Sequence, residues 1–407
     1  MCLEQFSFLS WQLAKLKEAQ SKNIQLLFIV VRIVKLNFNL QEGKQKSMKI
    51  PTIAYLSAEG KLSSSCKTKI PEKSLLKGYR IMCLTRHNDE RMITLQRQGV
   101  ISFAMSSKGE ECCAVASAAA LKASDWMYPQ YREAGIVFWR GMSVEDYVNH
   151  MFCNAKDIIL GRQMPNHFGS RELNIVTVSS PIGTKIPHAA GSAYAMRVKK
   201  EKNVAICYFG EGASSEGDFH VGLTFAAVRK APVIFFCRNN GYAISTPTSK
   251  QFGSEGVAPE GIGHGITTYR VDGNDFFAVY ETVLNARKEC IQGKGPVLIE
   301  AMTYRMGAHS TSDDPSRYRD DKECRKWEKR CPILRLKRYL EKKKLWNEEE
   351  EKKLQKKIKQ EVDAAIAAAK EVLPPSLETL IQDVYFAPTP RLREQLQELK
   401  RFFPGRQ

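Results

Sequence analysis

The chain contains 407 residues, of which 43% are hydrophobic and 26% are charged. This composition is typical of a soluble globular protein and excludes a collagen-like chain, a chain that is disordered throughout and a multi-span membrane protein. The formal net charge of +18 would ordinarily indicate a nucleic-acid or anionic-membrane partner. However, residues 1–90 carry a net +8 and residues 311–407 a net +6, so only +4 remains in the 220 residues between them. Because no motif interleaves aromatic and basic residues, we predict no nucleic-acid partner.

The cysteines and the first 49 residues bear on the cellular compartment. Eleven cysteines without a CxxC pair, several of them in apolar runs, favour buried free thiols in a reducing compartment. The longest apolar run, residues 26–34, is broken by Arg32, so we predict no membrane span. Residues 1–49 hold eight basic and three acidic residues, a balance that fits either an organelle transit segment or a disordered leader.

Hydrophobic periodicity predicts the order of helices and strands along the chain. After a Lys- and Ser-rich linker at residues 42–71, the predicted elements are helices at 72–97 and within 109–121, a strand at 204–209, a helix at 219–228, strands at 232–237 and 266–271, a helix at 276–291, a strand at 297–302 and helices within 324–370.

The alternation of strands and helices predicts the α/β class, with a doubly wound, mostly parallel sheet flanked by helices and a helical C-terminal region. We divide the chain into four parts, which are the leader at 1–49, an N-terminal extension and helix at 50–100, the α/β domain at 101–322 and a helical region at 323–407 that packs on the same domain.

Two residues that can bind a metal follow neighbouring strands. Glu211 stands in a Gly-rich turn after one strand, and Asn240 follows the next strand. Ser215 occupies the place of the third glycine of a dinucleotide-binding fingerprint, which disfavours that fold. Because adjacent strand ends lie side by side, the carboxylate and the amide can share a hard cation such as Mg²⁺. The alternative is a Gly-rich turn and an ordinary Asn-Gly turn without a metal.

Several motifs resemble those of a known family. Gly-Glu-Gly at 210–212, followed by Asn-Asn at 239–240, is similar to the thiamine diphosphate motif. The wider matches are Gln-Arg-Gln-Gly at 96–99, Tyr-Arg-Glu at 131–133, Gly-Arg-Gln-Met-Pro at 161–165, the run 238–248 and His-Ser-Thr-Ser-Asp-Asp at 309–314. Over roughly residues 50–400 the chain resembles the alpha subunits of branched-chain 2-oxoacid dehydrogenases. Pyruvate dehydrogenase alpha subunits, which typically have Asp in the metal turn, are the alternative.

The resemblance implies a thiamine diphosphate-binding fold and a role for each matching residue. Magnesium would be bound by Glu211, Asn240 and the backbone carbonyl of Tyr242. The implied cofactor-binding residues are Gln130, Tyr131, Arg132, Ser180, Gly212, Ala213, Arg238 and His309. His309 would also be catalytic, because a nearby diphosphate favours its charged form and lets it give protons during acyl transfer to lipoyl groups.

The resemblance also raises the question of a monovalent cation. In animal relatives a loop similar to residues 179–185 binds potassium, and the corresponding ligands here are Ser179, Pro181 and Thr184. Lys185 stands where a Gln is expected, and its ammonium group could occupy the cation position itself. Bound potassium and no potassium therefore both remain open.

The implied active site is incomplete in this chain. The Glu that activates the cofactor comes from a separate beta subunit in the family, in an assembly of two alpha and two beta chains. The implied mitochondrial-matrix enzyme decarboxylates the 2-oxoacids of leucine, isoleucine and valine breakdown and passes the acyl group to lipoyl-lysine on a transacylase core. Ala308, where relatives usually have His, Ala104, where Tyr is common, and Lys185 keep open a catalytically inert scaffolding member.

A regulatory site is implied next to the catalytic histidine. Ser310 lies in a loop rich in Ser, Thr and Asp, and the resemblance implies that a dedicated kinase and phosphatase act on it. In relatives a second phosphorylated Ser follows a Tyr-Arg pair, but Asp320 occupies that position here. We therefore expect only the first phosphorylation switch.

Overall fold

A computed structural model describes residues 50–403 of the chain, so the predicted leader or transit segment lies outside the described residues. The strands are β1 (Thr52–Ile53), β2 (Trp126–Tyr128), β3 (Ala205–Gly210), β4 (Val233–Asn239), β5 (Tyr242–Ala243), β6 (Thr246–Pro247), β7 (Thr267–Asp272) and β8 (Val297–Met302). The helices are α1 (Glu72–Arg97), α2 (Glu111–Ala119), α3 (Ala134–Arg140), α4 (Val144–Phe152), α5 (Lys185–Val198), α6 (Gly217–Arg229), α7 (Thr248–Gln251), α8 (Ala258–Gly263), α9 (Phe276–Ile291), α10 (Asp321–Glu328), α11 (Pro332–Lys342), α12 (Glu348–Lys370), α13 (Thr379–Gln382) and α14 (Pro390–Phe402), with short 3₁₀ turns at Glu211–Ser215 and Pro315–Arg317.

Six strands form one sheet in the order β1-β7-β8-β4-β3-β2, and every neighbouring pair is parallel. The central strands are apolar along nearly their whole length because helices cover both faces of the sheet. Side chains alternate between two cores, with Ile206 and Tyr208 of β3 in one and Cys207 and Phe209 in the other. This architecture confirms the predicted α/β class with a doubly wound parallel sheet.

The predicted β-α-β unit is confirmed, since β3, α6 and β4 begin and end within two residues of the predicted bounds. The two edge strands were not predicted, because β1 and β2 are only two and three residues long and carry no periodicity. The prediction of a linker at 42–71 is wrong for its described part. Leu56 is buried, and the Asp275 carboxylate accepts hydrogen bonds from the backbone N–H groups of Tyr55 (2.5 Å) and Leu56 (2.6 Å).

The helical C-terminal region covers one side of the sheet layer. Helices α11 and α12 contact α1, and α12 also contacts α4. Their apolar residues are buried against these helices, as Leu336 and Leu340 of α11 illustrate. No helix within residues 50–403 is both long enough and apolar enough to cross a membrane.

The register of β3 and β4 positions the candidate site. Gly210 at the end of β3 pairs with Arg238 near the end of β4, so Glu211 and Asn240 emerge at the same edge of the sheet. In open parallel sheets the crevice outside the carboxyl ends of the strands is the usual binding site. The fold therefore brings together the two residues that the sequence pairs.

Candidate active site

A cavity of about 470 Å³ lies at the carboxyl ends of β3 and β4. Twelve residues with a predicted role line it, and they are Gln130, Tyr131, Arg132, Ser180, Glu211, Gly212, Ala213, Arg238, Asn240, Tyr242, His309 and Ser310. These residues come from five separate stretches of the chain. The predicted potassium ligands Ser179, Pro181 and Thr184 are not part of the lining.

Glu211 begins the 3₁₀ turn after β3 and is only 1% exposed. One carboxylate oxygen, Oε2, accepts the backbone N–H of Asn240 at 3.1 Å, whereas Oε1 has no hydrogen-bond partner. Burial raises the pKa of this carboxyl to about 7. A buried carboxylate with one uncommitted oxygen is costly by itself, and a cation bound to that oxygen would offset the cost.

Oxygen atoms of three kinds surround this position. The Asn240 amide is oriented by its Nδ2, which donates to Glu110 Oε1 at 3.2 Å, so Oδ1 faces the other way and accepts the backbone N–H of Tyr242 at 3.3 Å. The carbonyl of Tyr242 accepts from Arg305 Nη1 at 3.0 Å, which fixes its direction. Carboxylate, amide and carbonyl oxygens are the donors that Mg²⁺ accepts, so the residues present fit this ion.

The turn is also shaped for a close approach to a ligand. A Cβ added at Gly212 would lie 3.0 Å from the Cβ of Ala243, so the backbone at this position approaches its neighbour too closely for a larger residue. Within residues 50–403 no three His, Cys, Asp or Glu side chains are grouped so that they could bind a metal by themselves. A cation here would therefore need further oxygen ligands, such as those of a diphosphate.

Arg238 forms ion pairs with two carboxylates that the sequence did not predict. Its side chain is 2% exposed; Nη1 donates to Glu110 Oε2 at 2.5 Å, and Nε forms an ion pair with Glu133. Only Nη2 is held loosely, at 3.4 Å from Gln130 Oε1. A buried guanidinium needs counter-charges, and two carboxylates provide them. Sequence reasoning missed both partners, although Glu133 stands inside the matched Tyr-Arg-Glu motif.

Arg132 links the loop at residues 106–107 to the predicted catalytic histidine. Its Nη1 donates to the carbonyl of Ser106 at 2.5 Å, and its Nη2 donates to the carbonyl of His309 at 2.6 Å and approaches His309 Nδ1 at 3.2 Å. A guanidinium can only donate, so Nδ1 acts as the acceptor and the imidazole proton is assigned to Nε2. This arrangement holds a neutral His309 at the cavity.

The protonation state of His309 differs from the expectation. Burial, followed by the positive charges of Arg132 and Arg305, lowers the pKa of His309 to about 4. We expected a diphosphate to favour the charged imidazolium, but the residues of this chain alone favour the neutral form. A bound anion would therefore be needed to protonate the His309 imidazole near neutral pH.

Hydrogen bonds of Asp313 order the loop that carries His309 and Ser310. Asp313 Oδ2 accepts the backbone N–H of His309 and the Tyr318 hydroxyl, both at 2.6 Å. The Tyr318 hydroxyl in turn accepts from Arg305 Nη2 at 2.9 Å. Since Arg305 also contacts the Tyr242 carbonyl, one buried arginine connects this loop to the candidate metal ligands.

His167 is a cavity residue that sequence reasoning missed. Its Nδ1–H donates to the carbonyl of Pro165 at 3.0 Å, so Nε2 is free to accept the Ser180 hydroxyl at 2.5 Å. This contact orients Ser180, one of the predicted cofactor-binding residues. The signal in the sequence was its position two residues after the matched Gly-Arg-Gln-Met-Pro run.

The predicted potassium ligands also lie together. Thr184 Oγ1 donates toward Ser179 Oγ and the carbonyl of Pro181, each at 3.1 Å. Lys185 is the first residue of α5, and burial lowers the pKa of its ammonium group. The loop therefore gathers the expected oxygen atoms, and Lys185, which is partly buried, directly follows Thr184 in the chain.

The depressed pKa of His309 makes stability depend on pH. Between the ordinary value of 6.5 and about 4, the unfolded chain binds a proton that the folded chain does not, so stability present above about pH 6.5 is lost as the pH falls. We expect His309→Gln to reduce the decline of unfolding free energy across this interval, as measured by denaturant titrations at several pH values. The exposed His188→Gln is the control. An unchanged decline in His309→Gln would contradict the assigned environment.

Comparisons with known proteins show the family of the chain. Residues 79–378 match the family described as "Dehydrogenase E1 component". The mitochondrial 2-oxoisovalerate dehydrogenase subunit alpha of Caenorhabditis elegans is 50% identical over 330 residues, which cover 81% of this chain and 76% of that protein. The corresponding subunit of Dictyostelium discoideum is 45% identical over 89% of this chain and 82% of its own length, and that of Homo sapiens is 46% identical over 86% and 80%. The chain therefore belongs to the dehydrogenase E1 component family.

Proposed function

We propose that this chain is the alpha subunit of a mitochondrial-matrix enzyme that oxidatively decarboxylates branched-chain 2-oxoacids with thiamine diphosphate and transfers the acyl group to lipoyl-lysine of a transacylase core. Its activity is that of a 3-methyl-2-oxobutanoate dehydrogenase. The observation that carries this proposal is the single strand-end cavity that contains Glu211, Asn240, Arg132 and His309. The relatives named above as 2-oxoisovalerate dehydrogenase alpha subunits support the substrate class.

The cofactor supplies the nucleophilic carbon and the electron sink for decarboxylation, and the protein supplies binding and electrostatics. Glu211, Asn240 and the Tyr242 carbonyl would bind Mg²⁺, which neutralises the diphosphate. The buried guanidinium of Arg132 would add positive charge beside the phosphates, and Arg238, whose charge is balanced by Glu110 and Glu133, would offer its loosely held Nη2 as a hydrogen-bond donor. Gln130, Tyr131, Ser180, Gly212 and Ala213 would shape the rest of the cradle.

His309 lies at this cavity with its proton on Nε2. Arg132 fixes the ring from the Nδ1 side, so Nε2–H is the group that can donate to an incoming acyl or lipoyl group. A bound diphosphate would raise the pKa of this imidazole by Coulomb attraction, which opposes the effect of the two nearby arginines. We therefore assign proton transfer during acyl transfer to His309.

The cavity wall supports a branched aliphatic substrate. The larger apolar side chains of the lining are Phe103, Met105, Met164, Ile182 and Ile244. A branched side chain would bury its methyl groups against such a wall, at roughly 0.8 kcal/mol per buried CH₂ group. Pyruvate has only one methyl group and would gain less. The apolar lining therefore favours a branched-chain 2-oxoacid over pyruvate as the substrate.

The same lining supports a partner subunit. Glu211 is its one carboxylate among the described residues, and a metal would engage it. The carboxylate that activates the cofactor must then come from another chain, as expected for a beta subunit in an assembly of two alpha and two beta chains. We propose that the transacylase core, a kinase and a phosphatase are further partners.

Reconstitution tests the proposed activity. The chain is co-expressed with a branched-chain beta subunit, and decarboxylation of 3-methyl-2-oxobutanoate and of pyruvate is followed with an artificial electron acceptor. We expect no turnover by either subunit alone and a kcat/KM ratio of at least about tenfold in favour of the branched substrate. A preference for pyruvate would support the runner-up, whereas cofactor binding without turnover would support a scaffolding role.

The metal assignment predicts a specific loss in cofactor binding. Glu211→Ala removes the only charged ligand, so we expect the Kd of thiamine diphosphate in the presence of Mg²⁺ to rise by more than about tenfold. Titration calorimetry on the assembled enzyme is the measurement. Glu216→Ala, which changes an exposed carboxylate five residues further along, is the matched control. Equal affinities of the two variants would refute the assignment.

We further propose that the ammonium group of Lys185 replaces the monovalent cation of the loop at 179–185. Thermal stability and turnover should then be the same in potassium and in choline buffers. Lys185→Gln should create a dependence on potassium, because the loop oxygens of Ser179, Pro181 and Thr184 would regain a cation to coordinate. If the unsubstituted enzyme already requires potassium and Lys185→Gln changes nothing, the replacement idea fails.

Ser310 is proposed as the phosphorylation switch. A phosphate would add about −1.5 to −2 charges beside Asp313, whose carboxylate holds His309 and Tyr318. Repulsion would loosen these bonds and disorder the loop. We expect Ser310→Glu to slow acylation of a lipoyl domain far more than decarboxylation with an artificial acceptor, with Ser316→Glu as the control. Unimpaired acylation by Ser310→Glu would overturn the switch.

A further inference from the structure

The loop between α1 and α2 is a part of the site that no sequence motif marks. Met105 lines the cavity, and the carbonyl of Ser106 receives the Nη1 donor of Arg132 at 2.5 Å. The other acceptors of the Arg132 guanidinium, the carbonyl and Nδ1 of His309, both belong to one residue. The position of Arg132 therefore depends on where the Ser106 carbonyl lies.

A buried carboxylate on α1 holds this loop from behind. Asp89 is 2% exposed, and its Oδ2 accepts both the backbone N–H of Ser107 at 2.7 Å and the Ser107 hydroxyl at 2.6 Å. Two bonds to one oxygen fix the peptide that joins Ser106 to Ser107. Burial raises the pKa of Asp89 to about 7, whereas the two donors of Ser107 stabilise its carboxylate form, to which hydrogen bonds are stronger than to a neutral acceptor.

We propose that Asp89 is a positioning residue for the active site. It holds the Ser106 carbonyl in the position that accepts the hydrogen bond of Arg132, and Arg132 in turn holds His309. Asp89 acts through the series Asp89, Ser107, Ser106, Arg132 and His309, and it has no place among the residues that line the cavity. A displacement of about 1 Å in a supporting residue is enough to disturb such a constellation. For its cofactor readout the inference rests on the proposed function.

Several other contacts anchor the same loop, and two of them on either side of Ser106 and Ser107 define the alternatives. The backbone N–H of Met105 donates to Asn166 Oδ1 at 2.8 Å, and Lys108 pairs with Glu90 at 3.1 Å. The Lys108 and Glu90 side chains are 44% and 52% exposed, so this pair is screened by solvent and contributes little. Glu90 is the neighbour of Asp89 on α1 and bonds the same loop, which makes Glu90→Gln a matched control.

The first readout needs no cofactor. Diethyl pyrocarbonate attacks an unprotonated imidazole nitrogen, and in His309 that nitrogen is Nδ1, which Arg132 covers. In the assembled enzyme, we expect two variants to raise the modification rate of His309, located by peptide mass spectrometry, by about tenfold. Asp89→Asn replaces the carboxylate acceptor by a neutral amide oxygen, and Ser107→Ala removes one of the two bonds. Glu90→Gln should leave the rate unchanged.

A second readout separates positioning from general destabilisation. The Kd of thiamine diphosphate should rise by about tenfold in Asp89→Asn, but Asp89→Asn should have no further effect when Arg132 is already replaced by Ala. A merely structural role would lower affinity equally in both backgrounds. If the unsubstituted enzyme binds no thiamine diphosphate, the proposed function fails, and the His309 rate still decides the role of Asp89.

The inference is overturned if Asp89→Asn leaves the melting temperature unchanged and diethyl pyrocarbonate modifies His309 in this variant at a rate within twofold of that in the unsubstituted enzyme. Should Asp89→Asn fail to fold, Ser107→Ala decides by the same criterion, because it removes one bond to the carboxylate and leaves the buried charge in place. A rise in the rate for Ser107→Ala but not for Glu90→Gln supports the proposal.

Discussion

The site depends on the charge balance around one buried guanidinium. Arg238, near the end of β4, pairs with Glu110 from the N-terminus of α2 and with Glu133 from the loop before α3. This cluster joins three separate stretches of the chain under the cavity floor. The same Glu110 orients the Asn240 amide, so the ion pair that stabilises the interior also aims a candidate metal ligand.

The carboxylate of Glu211 determines the charge on one side of the cavity. Arg238 is shared by two carboxylates and cannot also neutralise Glu211, whose pKa burial raises to about 7. A divalent cation would resolve this imbalance, and a diphosphate would supply further ligands to the cation. On the opposite side, Arg132 and Arg305 leave positive charge beside a neutral His309. The cavity is therefore polarised from the metal turn toward the loop at 309–314.

The sequence predicted the parts of the fold and of the site that have a strong local pattern of apolar residues. The β3-α6-β4 unit was recognisable because its strands are long and apolar, and Glu211 and Asn240 follow directly from its strand ends. The edge strands and the packed segment at 50–71 were missed because their contacts are made with distant residues such as Asp275. The same reason applies to Glu110, whose partner Arg238 is 128 residues away. His167 and Asp89 bond to nearer residues, Ser180 and Ser107, but those contacts are made by loops that have no periodic pattern.

The central claim is that Glu211, Asn240 and the Tyr242 carbonyl bind the metal of a diphosphate cofactor. Its most direct test is a crystal structure of the assembled enzyme with thiamine diphosphate and Mn²⁺, with the metal located by anomalous scattering. The account predicts an anomalous peak at about 2.1 Å from Glu211 Oε1 and Asn240 Oδ1, with phosphate oxygens completing an octahedron. A diphosphate bound without a peak at this turn would contradict it.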